Sequence, residues 1–417
     1  MEIKRPLYIQ RLISRKHNGM IKIITGLRRC GKSYLLFKLF YKHLIDEGVA
    51  DSEIIQIDLE NFSNAVLREP DAILDYIKHR ITGENTYYVL IDEVQLLHRF
   101  EEVLNTLLKN PQIDVYVTGS NARFLSKDVV TTFRGRGDEV RIHPLSFSEF
   151  ISVRQDTSFI ERYLNEYMYW GGLPQTVSMT DEEQKSAYLR GLFDNTYLID
   201  IKERYDIRND SDLDELIDVI ASTIGGLINP LKLQNTFKSI KQSRITVNTI
   251  KHYLDYMQDA FLIERAVRYD IKGRKYIDTP CKYYFDDLGL RNARLNFRQT
   301  EQTHMMENLI YNELRLRGYS VDVGQVTINT RNGQGVSERK QLEVDFVCNK
   351  GYDRLYIQSA FALPTIEKQQ QELNSLKRIN DNFQKIVIVG GMQPTYRNDD
   401  GILMLNIFDF LLNKVTI

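Results

Sequence analysis

The sequence predicts an α/β protein in which an N-terminal parallel sheet with helices on both faces binds phosphate, followed by helical and mixed regions and a second α/β core. Three observations predict it. Gly26-Leu27-Arg28-Arg29-Cys30-Gly31-Lys32-Ser33 is a complete Gly-x-x-x-x-Gly-Lys-Ser phosphate loop. Tyr87-Tyr88-Val89-Leu90-Ile91-Asp92-Glu93 is an apolar strand that ends in two carboxylates. Short apolar strands alternate with helix-like stretches from residue 20 to residue 145, the pattern of a parallel sheet.

The loop has the setting its chemistry needs. Ile21-Lys22-Ile23-Ile24-Thr25 is a short β-branched run, and Tyr34 to His43 carries apolar residues at helical spacing, so strand, loop and helix follow in order. Gly26 and Gly31 let the backbone curl until successive N–H groups face phosphate oxygens, and the helix adds its positive end. Lys32 would supply charge to the β- and γ-phosphates of ATP, and the Ser33 hydroxyl is placed where it can ligate Mg²⁺. Leu27, Arg28, Arg29, Cys30 and Tyr34 complete the expected nucleotide-contacting stretch, with no catalytic role required of Arg28, Arg29 or Cys30.

The Asp92-Glu93 pair gives metal and base separate owners. Asp92 would hold the Mg²⁺ shell and Glu93 would polarise the water that attacks the γ-phosphoryl group. Beyond the strand Val115-Tyr116-Val117-Thr118 lie Gly119-Ser120-Asn121, where either Ser120 or Asn121 would sense the γ-phosphate or position water; a turn capping the next helix is the plainer use of the same residues. Phe133-Arg134-Gly135-Arg136-Gly137 offers two arginines, Arg134 and Arg136, for a phosphate in the same subunit or a neighbour's, or for solvent.

At 417 residues, 42% apolar and 27% charged, the chain has room for two or three cores. Its formal charge of -1 gives no global attraction to nucleic acid. Three scattered cysteines, Cys30, Cys281 and Cys348, argue against a disulfide framework or thiolate metal site and for a reducing compartment, with the cytoplasm as the expected location. No uncharged apolar run is long enough to span a bilayer, and Met1 to Pro6 lacks a secretory core, so no membrane partner is expected.

Strands are expected near Ile54-Asp58, Tyr87-Asp92, Asp114-Thr118 and Val140-Ile142. The one at Ile54-Asp58 lies between the phosphate loop and the Asp-Glu strand, as in the additional-strand class of P-loop ATPases. Residues 1–148 are read as the ATPase core and 149–225 as a helical lid, broken at Trp170-Gly171-Gly172-Leu173-Pro174. From Leu231 to Lys275, ten Lys or Arg face four Asp or Glu, a local +6. There Thr246 would cap a helix with Ile250, Tyr253, Leu254 and Met257 as its buried stripe and Lys251 and His252 exposed. A hairpin around Lys272-Gly273-Arg274 would follow, with Lys275 beside it. This fits a winged-helix unit over 226–300, whose Lys251, His252, Arg274 and Lys275 would contact double-stranded DNA, or a packing module of the same shape.

Residues 301–417 read as helix (Met305 to Arg317), strands (Tyr319 to Val323, Leu342 to Val347, Leu355 to Ala360), helix (Ile366 to Ile379) and strand (Lys385 to Gly390), with Asn329 to Lys340 as a mobile loop. Glu307, Glu343, Asp345 and Gln358 fall where a metal-dependent nuclease keeps its acidic ligands, but Gln358-Ser359-Ala360 supplies neither the third acid nor a lysine.

Taken together, the loop, Ile91-Asp92-Glu93-Val94-Gln95, Thr118-Gly119-Ser120, Pro144-Leu145-Ser146-Phe147, Gly171-Gly172-Leu173-Pro174, Tyr284 to Leu290 and Glu343-Val344-Asp345-Phe346 resemble the bacterial and archaeal proteins that join an AAA-type ATPase to a restriction-endonuclease-like C-terminal domain. The resemblance implies an AAA-type P-loop NTPase core, a winged-helix middle and a nuclease-like fold. Members commonly carry a Glu-x-Lys strand where this chain has Gln358-Ser359-Ala360, so the C-terminal domain is expected to be a degenerate, inactive nuclease. The leading expectation is a Mg-ATP-hydrolysing switch or motor, with DNA as a candidate partner and an oligomer left open. An ATP-regulated nuclease and a non-hydrolysing nucleotide-binding scaffold are the alternatives.

Overall fold

The computed structural model describes residues 3–119, 135–154, 156–207, 210–331 and 337–417, which divide into two compact units. The first comprises residues 1–145 with the segments 173–178 and 259–261, and the second the remainder.

The first unit is built on β1 (Ile21–Gly26), β2 (Ile54–Asp58), β3 (Tyr87–Asp92), β4 (Ile113–Thr118) and β5 (Gly137–Ile142), all parallel, in the spatial order β2-β3-β4-β1-β5. Strands covered on both faces need apolar side chains in both directions, which is why β1 and β3 are buried at every position. Ile21, Ile23, Ile57, Val89, Ile91, Val115 and Val117 form the core of one face with Val103 and Leu104 from the helix Phe100–Leu107. Because β4 inserts between β1 and β3, the chain leaving β1 crosses the sheet in the opposite sense from the chain leaving β4. That reversal opens a crevice at the carboxyl ends of these strands, where a ligand binds in such folds. This is the parallel α/β sheet of an additional-strand P-loop NTPase.

The second unit carries an eight-stranded mixed sheet in the order β12-β13-β11-β10-β9-β8-β6-β7, with β6 Ile263–Asp270, β7 Lys275–Phe285, β8 Ser320–Arg331, β9 Ser337–Lys350, β10 Asp353–Ala360, β11 Gln384–Val389, β12 Tyr396–Arg397 and β13 Leu403–Asn406. The hairpin expected around Lys272-Gly273-Arg274 is present, but it does not form an independent wing. β6 pairs in parallel with β8 through Arg268↔Val323, Tyr269↔Gly324 and Asp270↔Gln325, so the expected boundary at residue 300 runs through one sheet. The helix Val247–Asp259 has the expected buried stripe of Ile250, Tyr253, Leu254 and Met257, and the Thr246 hydroxyl accepts the Thr249 N–H at 3.1 Å. Most of the expected loop at 329–340 is strand, since β8 and β9 pair as far as Arg331↔Ser337.

Helices also fill the region read as a lid, among them Ile160–Trp170, Glu182–Leu192 and Asp210–Ser222. They cluster with the second unit, with the exception of the segment 173–178. The breaker at Gly171 has a physical basis: φ is +76°, and a β-carbon there would lie 2.3 Å from Asp287 Oδ1. Asp287 accepts the N–H of Gly172 at 2.8 Å and that of Leu290 at 2.9 Å, tying the helix end to the start of the helix Leu288–Arg294. Among the described residues no helix is long and apolar enough to cross a membrane.

Candidate functional site

β1 ends in Gly26 at φ +137°, where a β-carbon would stand 2.0 Å from the Ile142 carbonyl oxygen of β5; only glycine lets the loop leave the sheet so close to its neighbour. Gly31, at φ +99°, makes the last turn before the helix that begins at Lys32. Leu27 and Cys30 are wholly buried, and Cys30 Sγ lies 3.6 Å from the Ile142 carbonyl. The loop is therefore pinned by its apolar residues while its backbone curls around Lys32. The Lys32 ammonium donates to the carbonyls of Gly26 and Leu27, both at 3.1 Å, which sets a positive charge inside the curl at a helix N-terminus. Ser33 and Tyr34 sit exposed on the first helical turn.

At the tip of β3, the buried Asp92 carboxylate accepts hydrogen bonds from the hydroxyls of Ser33 and Thr118. Burial holds its carboxyl above the usual range, and the two hydroxyls work against that rise. Glu93 has left-handed backbone (φ +49°), its N–H donates to Thr118 Oγ1 at 3.0 Å, and its carboxylate accepts from the Gln95 amide. Ser33, Asp92 and Glu93, named from two distant motifs, thus meet at one end of the sheet. The oxygen donors of Ser33 and Asp92 fit a hard divalent ion such as Mg²⁺. Asp58, in register with Asp92 on β2, adds negative charge beside it.

Two supporting residues escaped sequence reasoning. Thr118 ends β4 one strand away from Asp92, and the signal available was a hydroxyl residue at a strand tip. Arg5 carried no signal: its buried guanidinium donates to the carbonyls of Cys30 at 3.0 Å, His143 at 2.8 Å and Pro144 at 3.2 Å, and stacks 4.4 Å above the Tyr8 ring. It ties the phosphate loop to the chain leaving β5. Pro174 also belongs to this unit, its Cγ 3.8 Å from where a Gly31 β-carbon would be.

Ser120, Asn121 and Arg134 lie outside the described residues. Arg136 is described, and a role for it at the phosphates of its own subunit is corrected. It precedes β5 and pairs its carbonyl with Ile21 N–H at 2.9 Å, so it marks the amino end of the sheet, while the loop lies at the carboxyl end. A six-residue strand puts roughly 17 Å between those ends. Its guanidinium donates to Asn105 at 3.3 Å.

The second unit brings Glu307, Glu343, Asp345 and Gln358 together, and with them a lysine from a different strand than 358–360. Lys282, from β7, places its ammonium 2.9 Å from Glu307 Oε1 and 2.7 Å from Glu343 Oε1. Tyr284 donates to Glu307 Oε1 at 2.7 Å, and Ser359 N–H to Asp345 Oδ2 at 2.8 Å. Gln358 Oε1 faces the Asp345 N–H at 3.4 Å, while its amide reaches Glu372 at 3.3 Å. Burial works to lower the Lys282 pKa, but Glu307, Asp345 and Glu343 outweigh it and raise it; burial, then Glu307, pushes the Asp345 carboxyl up to about 8. Lys251 and His252 are exposed on their helix, and Arg274 and Lys275 at the hairpin turn, with eight-residue β6 between the two pairs.

Residues 18–151 match the family model of an AAA domain, and residues 161–301 that of a domain of unknown function. An uncharacterised protein of Haemophilus influenzae is 34% identical over 414 residues, spanning 98% of each chain. An uncharacterised protein of Methanocaldococcus jannaschii is 29% identical over 399 residues, 93% of this chain and 85% of that one. Among solved structures, a Walker-type ATPase of Pyrococcus abyssi matches 70% of this chain and 96% of its own at 14% identity, with a TM-score of 0.45.

Proposed function

Because this chain belongs to one family with the uncharacterised Haemophilus influenzae protein and carries an AAA domain over residues 18–151, we propose that it binds Mg-ATP at the Gly26–Ser33 loop and hydrolyses it to ADP and phosphate as a molecular switch or motor. The observation that carries this reading is the meeting of Lys32, Ser33, Asp92 and Glu93 at the carboxyl end of one parallel sheet. The loop N–H groups and Lys32 hold the phosphates, and Ser33 and Asp92 hold Mg²⁺, which neutralises phosphate charge when bound. Glu93 accepts a proton from the attacking water, and its backbone N–H is held by the Thr118 hydroxyl at 3.0 Å.

Steady-state ATP turnover and nucleotide binding on wild type, Lys32→Ala and Glu93→Gln test it. Lys32→Ala is expected to lose binding, and Glu93→Gln to keep ATP while turning over roughly a hundredfold slower. Equal rates in all three would overturn the assignment, and ATP retained without turnover by the wild type would favour a scaffold.

A second reading rests on the exposed cations Lys251, Arg274 and Lys275 of the +6 segment, with His252 beside Lys251: together they contact double-stranded DNA phosphates. Such contacts release counterions, so affinity falls as salt rises. Binding indifferent to salt and to removal of Lys251, Arg274 and Lys275 charge would sink it.

A further inference from the structure

We propose that Lys282 is a built-in cation that holds the place of the divalent metal in the Glu307-Glu343-Asp345 cluster, so that this carboxylate set closes on itself and takes no metal. A nuclease-type centre needs open carboxylate oxygens around a hard ion that keeps several waters, with near-octahedral room for Mg²⁺. One oxygen of each of the three carboxylates is already committed. Glu307 Oε1 takes both the Lys282 ammonium at 2.9 Å and the Tyr284 hydroxyl at 2.7 Å, and Glu343 Oε1 takes the same ammonium at 2.7 Å. Asp345 Oδ2 accepts the Ser359 N–H at 2.8 Å. Gly225 also lies close to Glu307, since a β-carbon there would stand 2.9 Å from Glu307 Oε2.

Charge leads to the same conclusion. Lys282 is buried, as are Glu307 and Asp345, and a second cation on the same oxygens would stand a few ångströms from an ammonium in a medium that screens poorly. Gln358, where a further acid would sit, is neutral and turned to the Asp345 backbone and to Glu372. Lys282 instead joins β7 to the helix Gln302–Leu316 and to β9, giving the hairpin an ionic anchor in the C-terminal core.

Mn²⁺ titration of the full-length, nucleotide-free chain, followed by the spectrum of the free ion, tests this, with Asp92→Asn as background to silence the phosphate-loop site. In that background the unaltered cluster is expected to take up no Mn²⁺ at about 1 mM, the weak end of oxygen-ligand sites. Lys282→Met is expected to gain one Mn²⁺ site, at least tenfold tighter, that Asp345→Asn removes. Uptake by the unaltered cluster that Asp345→Asn abolishes would overturn the proposal. So would a folded Lys282→Met that gains no site, or Mn²⁺-dependent DNA cleavage by the wild type that Asp345→Asn abolishes. Should Lys282→Met not fold, the unaltered cluster decides alone: no Asp345-dependent uptake supports the proposal, and uptake refutes it.

Discussion

Thr118 donates its hydroxyl hydrogen to the Asp92 carboxylate and accepts the Glu93 N–H at 3.0 Å, so one side chain at the tip of β4 orients both acidic residues at the tip of β3. Thr118→Val keeps the shape and removes both bonds. Turnover is expected to fall about tenfold to a hundredfold, equivalent to about 1.4 to 2.7 kcal/mol in the barrier, with the melting temperature little changed. Thr118→Ser should restore most of it. Kinetics on the three proteins decide the matter, and unchanged turnover in Thr118→Val would remove Thr118 from the site.

Gly26→Ala tests the backbone of the loop. The added carbon would meet the Ile142 carbonyl at 2.0 Å, and φ of +137° is foreign to alanine. Separation of β1 from β5 or a shifted loop must follow, at a cost of about 3 kcal/mol. Thermal unfolding should show a markedly lower transition, with ATP affinity reduced in the protein that remains folded.

Arg5→Met leaves the carbonyls of Cys30, His143 and Pro144 without the donor they share. Buried acceptors stripped of a charged donor cost on the order of 3 kcal/mol in all. Arg5→Lys should recover little, because a single ammonium cannot present the planar fork that spans three carbonyls. Denaturation of the two variants beside wild type checks both statements.

Asp287 predicts a pH dependence. Burial pushes its carboxyl up to about 6, while the N–H groups of Gly172 and Leu290 work to lower it. In the unfolded chain an aspartate titrates near 3.9, so between pH ~4 and ~6 the folded state holds a proton that the unfolded state has lost. Stability from this group is complete below that window and falls as pH rises through it, by roughly 3 kcal/mol. Asp287→Asn cannot lose a proton. The stability difference, wild type minus Asp287→Asn, should therefore decline from pH 4 to 6.5 and then level off, and a flat difference would contradict the assignment.

How much of this was legible in the sequence depended on whether the chemistry was local. Gly26, Lys32, Ser33, Asp92 and Glu93 were named from contiguous motifs, and the strands of the first unit follow their apolar runs within a few residues. Arg136 was misplaced because glycines around it resemble a phosphate-seeking loop, although a parallel β5 must begin at the end of the sheet opposite the phosphates. Arg5 binds carbonyls 25, 138 and 139 residues away, and backbone acceptors leave no mark in a sequence.

By itself the sequence determined the phosphate loop, the acidic strand tip and the alternation of strand and helix, because each is set by residue types at short spacing. Tertiary structure alone decided that the hairpin of β6 and β7 belongs to the C-terminal sheet and that Lys282 lies among Glu307, Glu343 and Asp345. The physical reason is that strand pairing and ion pairing act through space: which strand lies beside β8, and which ammonium reaches a buried carboxylate, are chosen by the packing of the whole sheet.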